Sequence, residues 1–91
     1  MKITNLYDTI LDRKANPSPQ SYTARLFSEG QDEICKKVGE EAIEVIIAAK
    51  GQGKQRIIEE VSDLTYHVLV LMAQNGVTPD EILVELEKRH K

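Results

Sequence analysis

Two pairs of acids stand three residues apart in this chain: Glu41 with Glu44, and Glu60 with Asp63. Both lie among apolar residues, as in Ala42-Ile43-Glu44-Val45-Ile46. On a helix, that spacing puts the two carboxylates of a pair on one side, one turn apart. Two such pairs brought together repel, and like charges raise carboxyl pKa values so that some keep their protons. A divalent cation between them removes the conflict. An all-oxygen donor set selects Mg2+ or Mn2+ over zinc, and Mg2+ leaves positions for water and substrate phosphate. A single E-x-x-E is weak evidence. Lys36–Glu40, Lys37–Glu41 and Arg56–Glu60 are i,i+4 pairs of opposite charge, and would equally serve a solvated helix face. From the residues alone, a metal site and a salt-bridged surface both stand.

The elements that must position these acids read as a helical hairpin. A third helix is predicted over Gln31–Lys50 and a fourth over Lys54–Asn75, with a break at Gly51-Gln52-Gly53. At ~100° per residue, Ile34, Val38, Ala42, Val45 and Ala49 share the core face of the third helix. Lys37, Glu41, Glu44 and Ala48 form a stripe at its edge. On the fourth helix Ile57, Val61, Leu64, Val68, Leu71 and Met72 form the core face, beside a stripe of Arg56, Glu60, Asp63 and His67. A connection this short favours antiparallel neighbours. Counting outward from Gln52 then sets Glu44 level with Glu60 and Glu41 level with Asp63, about 12 Å and 16 Å from the turn at ~1.5 Å per residue. His67 extends the acidic stripe, as a buried histidine bonded to a neighbour, with Asp63 and Glu60 in reach. It does not match the E-x-x-H ligand pattern of di-iron bundles.

The rest of the chain is also helical in pattern. Ile3, Leu6, Tyr7, Ile10 and Leu11 follow amphipathic spacing, and Pro17 and Pro19 end that helix near Asn16. Ser21 caps a second helix that runs to about Glu29 and stops at Gly30, with Leu26 and Phe27 as its core contacts. Its first turn holds Tyr22, Thr23 and Arg25, which read either as a plain helix start or as a phosphate-facing lip. Thr78-Pro79-Asp80-Glu81 is a capping box that opens a last helix, whose core contacts are Ile82, Leu83 and Leu86.

At 91 residues the chain is expected to form one domain over 1–91 with a small core, or an oligomer. Three Tyr, one Phe and no Trp, among many Ala, Ile, Leu, Glu and Lys, favour an all-α fold. The net charge of −3 argues against nucleic acid as a partner. One cysteine, Cys35, fits a reducing compartment and reads as a small core residue. Neither a signal peptide nor a membrane-length apolar run is visible, so a soluble cytoplasmic protein is expected. No glycine-rich phosphate loop, G-x-S-x-G or zinc spacing occurs.

With the flanks included, the pattern resembles a known family. Glu41-x-x-Glu44 followed by Glu60-x-x-Asp63 is similar to the E-x-x-E…E-x-x-D signature of the MazG-like all-α nucleoside triphosphate pyrophosphohydrolases. The blocks SYTARLF (21–27), KKVGEEAIEVIIAAK (36–50) and EEVSDLTYHVLVLM (59–72) resemble the phosphoribosyl-ATP pyrophosphohydrolases of histidine biosynthesis, over about Leu6 to Arg89. The resemblance implies a compact bundle of about five helices around a central antiparallel hairpin, completed by homodimerisation. It implies hydrolysis of phosphoribosyl-ATP between the α and β phosphates, with Mg2+ held by Glu41, Glu44, Glu60 and Asp63. Relatives are often fused to the next enzyme of the pathway, and this chain reads as the stand-alone form. Beside that chemistry, Glu40 or Glu41 would orient or deprotonate the attacking water. Lys36, Lys37, Tyr22, Thr23 and Arg25 would meet substrate phosphates. Two alternatives remain: a related pyrophosphohydrolase of other nucleotides, and a non-catalytic helical module.

Overall fold

The computed structural model describes residues 1–90, and all regular structure among them is helical. The elements are α1 (Ile3–Ala15), α2 (Tyr22–Glu29), α3 (Gln31–Ala49), α4 (Lys54–Gln74) and α5 (Pro79–Arg89). The expected all-α bundle of five helices is therefore present, and α3 and α4 form its central pair.

Helix ends follow local chemistry. The Ser21 hydroxyl accepts from Ala24 N–H at 3.1 Å, so α2 starts where the side chain replaces a missing backbone acceptor. Thr78 and Glu81 form the reciprocal capping box of α5, with Pro79 at its first position. At the end of α4 the Val77 N–H reaches the Met72 carbonyl at 2.9 Å, and Gly76 has φ +69°. That is a Schellman close, and the left-handed residue it needs is glycine. Gly53 (φ +90°) instead stands at the N-cap of α4, in the turn between α3 and α4.

The core gathers Tyr7 and Ile10 of α1, Leu26 of α2, Ile34 of α3, and Leu69, Val70 and Ala73 of α4, with Leu6 and Phe27 packed against it. Tyr7 donates its hydroxyl to the Val77 carbonyl at 2.7 Å, tying α1 to the α4–α5 connection. Lys14 donates to the Ala73 carbonyl at 3.2 Å, near the end of α4, and lies 5.4 Å from the centre of the Phe27 ring.

Several faces differ from the sequence reading. Burial on α3 recurs at Ile34, Val38, Glu41, Val45 and Ala48, the seven-residue repeat of a packed seam. Glu41 thus belongs to the inward face, while Ala49 is exposed. On α4, Glu60 and His67 are buried and Val61 is exposed. The acid stripes were expected at the edge of the core; Glu41, Ala48, Glu60 and His67 of those stripes turn inward, while Glu44 and Asp63 stay exposed. Cys35, expected in the core, is exposed, because it follows buried Ile34 by one step around the helix. Ile82, Leu83 and Leu86 are exposed, and α5 buries none of its residues. Among the described residues α5 packs only along α1, and its apolar side stays largely open, with Ile82 and Leu83 lining an apolar pocket beside Ile3, Leu69 and Met72.

Candidate active site

Rotation of the seam brings three acids together. Glu41 of α3 and Glu60 and Asp63 of α4 each present a carboxylate oxygen, and these oxygens all lie within 4.8 Å of one another. Glu41 and Asp63 are at matching distances from the turn, as the residue count predicts. Glu60 completes the group from one helical turn nearer the turn itself. Glu44 is exposed and lies outside the cluster.

The environment of these acids is uneven. Glu60 is only 7% exposed, Glu41 is half-buried and Asp63 is exposed. A buried carboxylate needs a counter-charge or donors. Arg56 supplies one, bonding Glu60 through Nη2 and Glu59 through Nη1. Its bond to Glu59, helped by Gln55, holds the Glu59 carboxyl below the usual range. The same pairing pushes the Arg56 guanidinium higher still, Glu59 being the largest cause. The Arg56–Glu60 pair is thus both a helix-surface ion pair and part of the cluster. Glu41 and Asp63 have no cation beside them among the described residues. Three converging carboxylates with one counter-charge fit a hard divalent cation, which takes oxygen ligands.

The remaining candidates surround this group. Lys37 is half-buried and its Nζ is 3.9 Å from Glu40 on the exposed side of α3. The i,i+4 pairs Lys36–Glu40 and Lys37–Glu41 do not form, and Lys36 is exposed. On α2, the Arg25 guanidinium sits 5.3 Å from the centre of the Tyr22 ring. Thr23 is hydrogen-bonded to Tyr66 of α4. His67, one turn beyond Asp63, binds the Asp63 carbonyl through Nδ1 at 2.7 Å and the Tyr22 hydroxyl through Nε2 at 3.2 Å. The expectation of a buried histidine bonded to a neighbour holds, and the bond to Asp63 is through its main chain. Tyr66 was not singled out from the sequence. Its signal was its place beside His67 on α4, where a phenol can reach the first turn of α2. Burial raises the Tyr66 phenol, with the Thr23 bond acting against it and Tyr22 adding to it.

Known proteins carry the same arrangement of sequence. Residues 3–90 match the family described as Phosphoribosyl-ATP pyrophosphohydrolase. The chain belongs to that family. A relative named phosphoribosyl-ATP pyrophosphatase from Pelotomaculum thermopropionicum is 49% identical over 98% of this chain and 91% of its own length. Another of that name, from Lacticaseibacillus casei, is 56% identical over 96% of this chain and 79% of its own. A histidine biosynthesis bifunctional protein from Caldanaerobacter subterraneus is 51% identical over 98% of this chain and 43% of its own length. For a phosphoribosyl-ATP pyrophosphohydrolase family member, an acidic cluster between the two central helices is the natural place to look for chemistry. No described helix is long and apolar enough to cross a membrane.

Proposed function

We propose that this chain hydrolyses phosphoribosyl-ATP to phosphoribosyl-AMP and pyrophosphate, at a site built on Glu41, Glu60 and Asp63. The convergence of those three carboxylates, in a chain that belongs to this family over nearly its whole length, carries the reading. Mg2+, or Mn2+ in its place, is the cation their oxygens suit, with Glu44 as a fourth donor one turn along α3 from Glu41. When bound, the ion neutralises the triphosphate and the crowded acids and lowers the pKa of a coordinated water.

The chain's own residues supply the rest. Glu41, or Glu40 beside it, orients the attacking water and accepts its proton. Pyrophosphate leaves as the bond between the α and β phosphates breaks. Lys37, one turn before Glu41, offers a cation to phosphate oxygens, with Lys36 on the same helix in support. Arg25, Tyr22 and Thr23 present the first turn of α2 as the opposite lip. Thr23 and Tyr22 reach α4 through Tyr66 and His67, and this holds the lip against the acid-bearing helix.

A homodimer in the cytoplasm is the expected working form. Support comes from surface left uncovered by the single chain: Ile43, Ile46 and Ile47 on α3, Ile58 and Val61 on α4, and Ile82, Leu83, Val84 and Leu86 on α5. The radius of gyration, 14.3 Å, exceeds the ~12 Å of a closed globule of this length.

The test is a comparison of pyrophosphate release from phosphoribosyl-ATP with release from a panel of ordinary and damaged nucleoside triphosphates. A clear preference for phosphoribosyl-ATP is expected. Equal turnover across the panel would point to a broader pyrophosphohydrolase, and no turnover with any to a non-catalytic helical module.

A further inference from the structure

The contacts joining α2 to α4 form a directed chain. The His67 Nδ1 faces a main-chain carbonyl, Asp63 O, at 2.7 Å. A carbonyl only accepts, so Nδ1 carries a hydrogen, and in the tautomer with that single hydrogen Nε2 is bare. Nε2 then accepts from the Tyr22 hydroxyl at 3.2 Å. The hydroxyl proton of Tyr22 is therefore committed to His67, and what the oxygen keeps is acceptor capacity. His67 is held besides by edge-on packing with Tyr66, ring centres 5.0 Å apart, and is 7% exposed. Tyr22 itself is 41% exposed, with the Arg25 guanidinium over its ring.

We infer that His67 is a positioning residue that presents the Tyr22 oxygen as a hydrogen-bond acceptor for a hydroxyl of the nucleotide's adenosine ribose. An acceptor cannot serve a phosphate oxygen, which also only accepts, so the partner must be a donor. His67 lies one helical turn, ~5.4 Å, beyond Asp63 along α4, and Tyr22 meets it there. A nucleotide with its phosphates at Glu41, Glu60 and Asp63 carries its nearest hydroxyl donors on the sugar next to the α phosphate. The inference rests on the pyrophosphohydrolase reading and moves Tyr22 from phosphate contact to sugar contact.

The experiment measures kcat/KM with phosphoribosyl-ATP and with its counterparts made from 2′-deoxy- and 3′-deoxy-ATP, for wild type, Tyr22→Phe and His67→Asn. Wild type should prefer the ribose form over at least one deoxy form by about 2- to 12-fold, the worth of one net hydrogen bond. Tyr22→Phe keeps the ring and should bring that ratio close to one. His67→Asn keeps a donor for the Asp63 carbonyl but withdraws the acceptor from Tyr22. It should lower the ratio too, and the double variant should be no worse than the poorer single one. A general loosening of the fold would depress all three substrates alike and leave the ratio standing. A wild-type ratio retained in Tyr22→Phe overturns the proposal, as does strict additivity of the two substitutions. Should His67→Asn fail to fold by circular dichroism, Tyr22→Phe decides alone. Absence of turnover by wild type with every form would overturn the pyrophosphohydrolase reading itself, and this inference with it.

Discussion

Glu60→Gln separates a metal site from a salt-bridged surface, because it acts in opposite ways with and without the cation. In the metal-free protein, Glu60 has two carboxylates within 4.8 Å. At an effective dielectric near 20, a pair at that 4.8 Å limit repels by about 3.5 kcal/mol, and a closer pair by more. Solvent at exposed Asp63 and half-buried Glu41 screens this toward about 1 kcal/mol per pair. The substitution relieves that repulsion but gives up one of the two charge partners of Arg56, so the two effects oppose each other. Metal-free Glu60→Gln should therefore melt within a few degrees of wild type. With Mg2+ at about 100 times its Kd, wild type gains about 2.7 kcal/mol. For a domain of this size that is a rise in Tm of roughly 11–22 °C. Loss of a charged ligand should weaken binding about a hundredfold or more, since even partners behind the ligands are worth 10–100-fold. The same Mg2+ then leaves about 0.4 kcal/mol, or roughly 2–3 °C. Thermal melts in EDTA and in Mg2+, followed by circular dichroism, check both arms. A full Mg2+ shift in Glu60→Gln, or none in wild type, would refute the assignment of this cluster as the metal site.

Other expectations follow from the same geometry. Glu44→Gln should abolish pyrophosphate release while leaving helix content unchanged, and retained turnover would remove Glu44 from the donor set. Leu26→Ala should cost about 2–5 kcal/mol in urea unfolding, because Leu26 is wholly buried among α1, α3 and α4. Burial, then the charges of Glu81 and Asp8, raise the Tyr7 phenol above its ordinary 10.0, so its stabilising contribution is complete below pH 10 and is lost as pH rises through the folded value. Tyr7→Phe should flatten that alkaline limb of stability, measured by chemical denaturation from pH 8 to 11.

The helices were legible because each boundary has a local cause. Pro17 and Pro19, the Ser21 and Thr78 caps and the glycines at 30, 53 and 76 act within a few residues of where they stand. Facing was harder to read. The wheel assigns the core to the richest apolar side, and α3 has apolar residues on two sides. One runs through Ile34, Val38, Val45 and Ala48, which are buried or half-buried, and the other through Ile43, Ile46 and Ile47, which are exposed. Pattern alone does not say which side meets α4. Counting from the turn does not depend on rotation, and the Glu41 and Asp63 oxygens do come together, whereas Glu44, expected opposite Glu60, is exposed and lies outside the cluster. The Tyr22–His67 and Thr23–Tyr66 bonds join residues more than forty positions apart. No local rule reaches them.

The second apolar side has its own register, and that gives the proposed homodimer a physical basis. Ile46 and Ile58 are each six residues from Gln52, and Ile43 and Val61 are each nine. In an antiparallel pair these residues stand level, two across at two heights. All four are at least 42% exposed. A ladder of large aliphatic side chains is costly to leave in water, at ~25 cal/mol for each Å2. α5 adds Ile82, Leu83, Val84 and Leu86, all exposed, on an 11-residue helix too short to be stable by propensity alone. A stable dimer takes about 800 Å2 from each partner, and this ladder with α5 is where the chain would supply it. Ile46→Asp should place a charge at the middle of the ladder and convert a dimer to monomers in sedimentation velocity, with a large loss of stability. Leu11→Asp is the control: Leu11 is similarly exposed, at 39%, but lies on α1, away from the hairpin ladder. If Ile46→Asp sediments as wild type does, the ladder is not the interface, and the uncovered side of α5 would have to supply it.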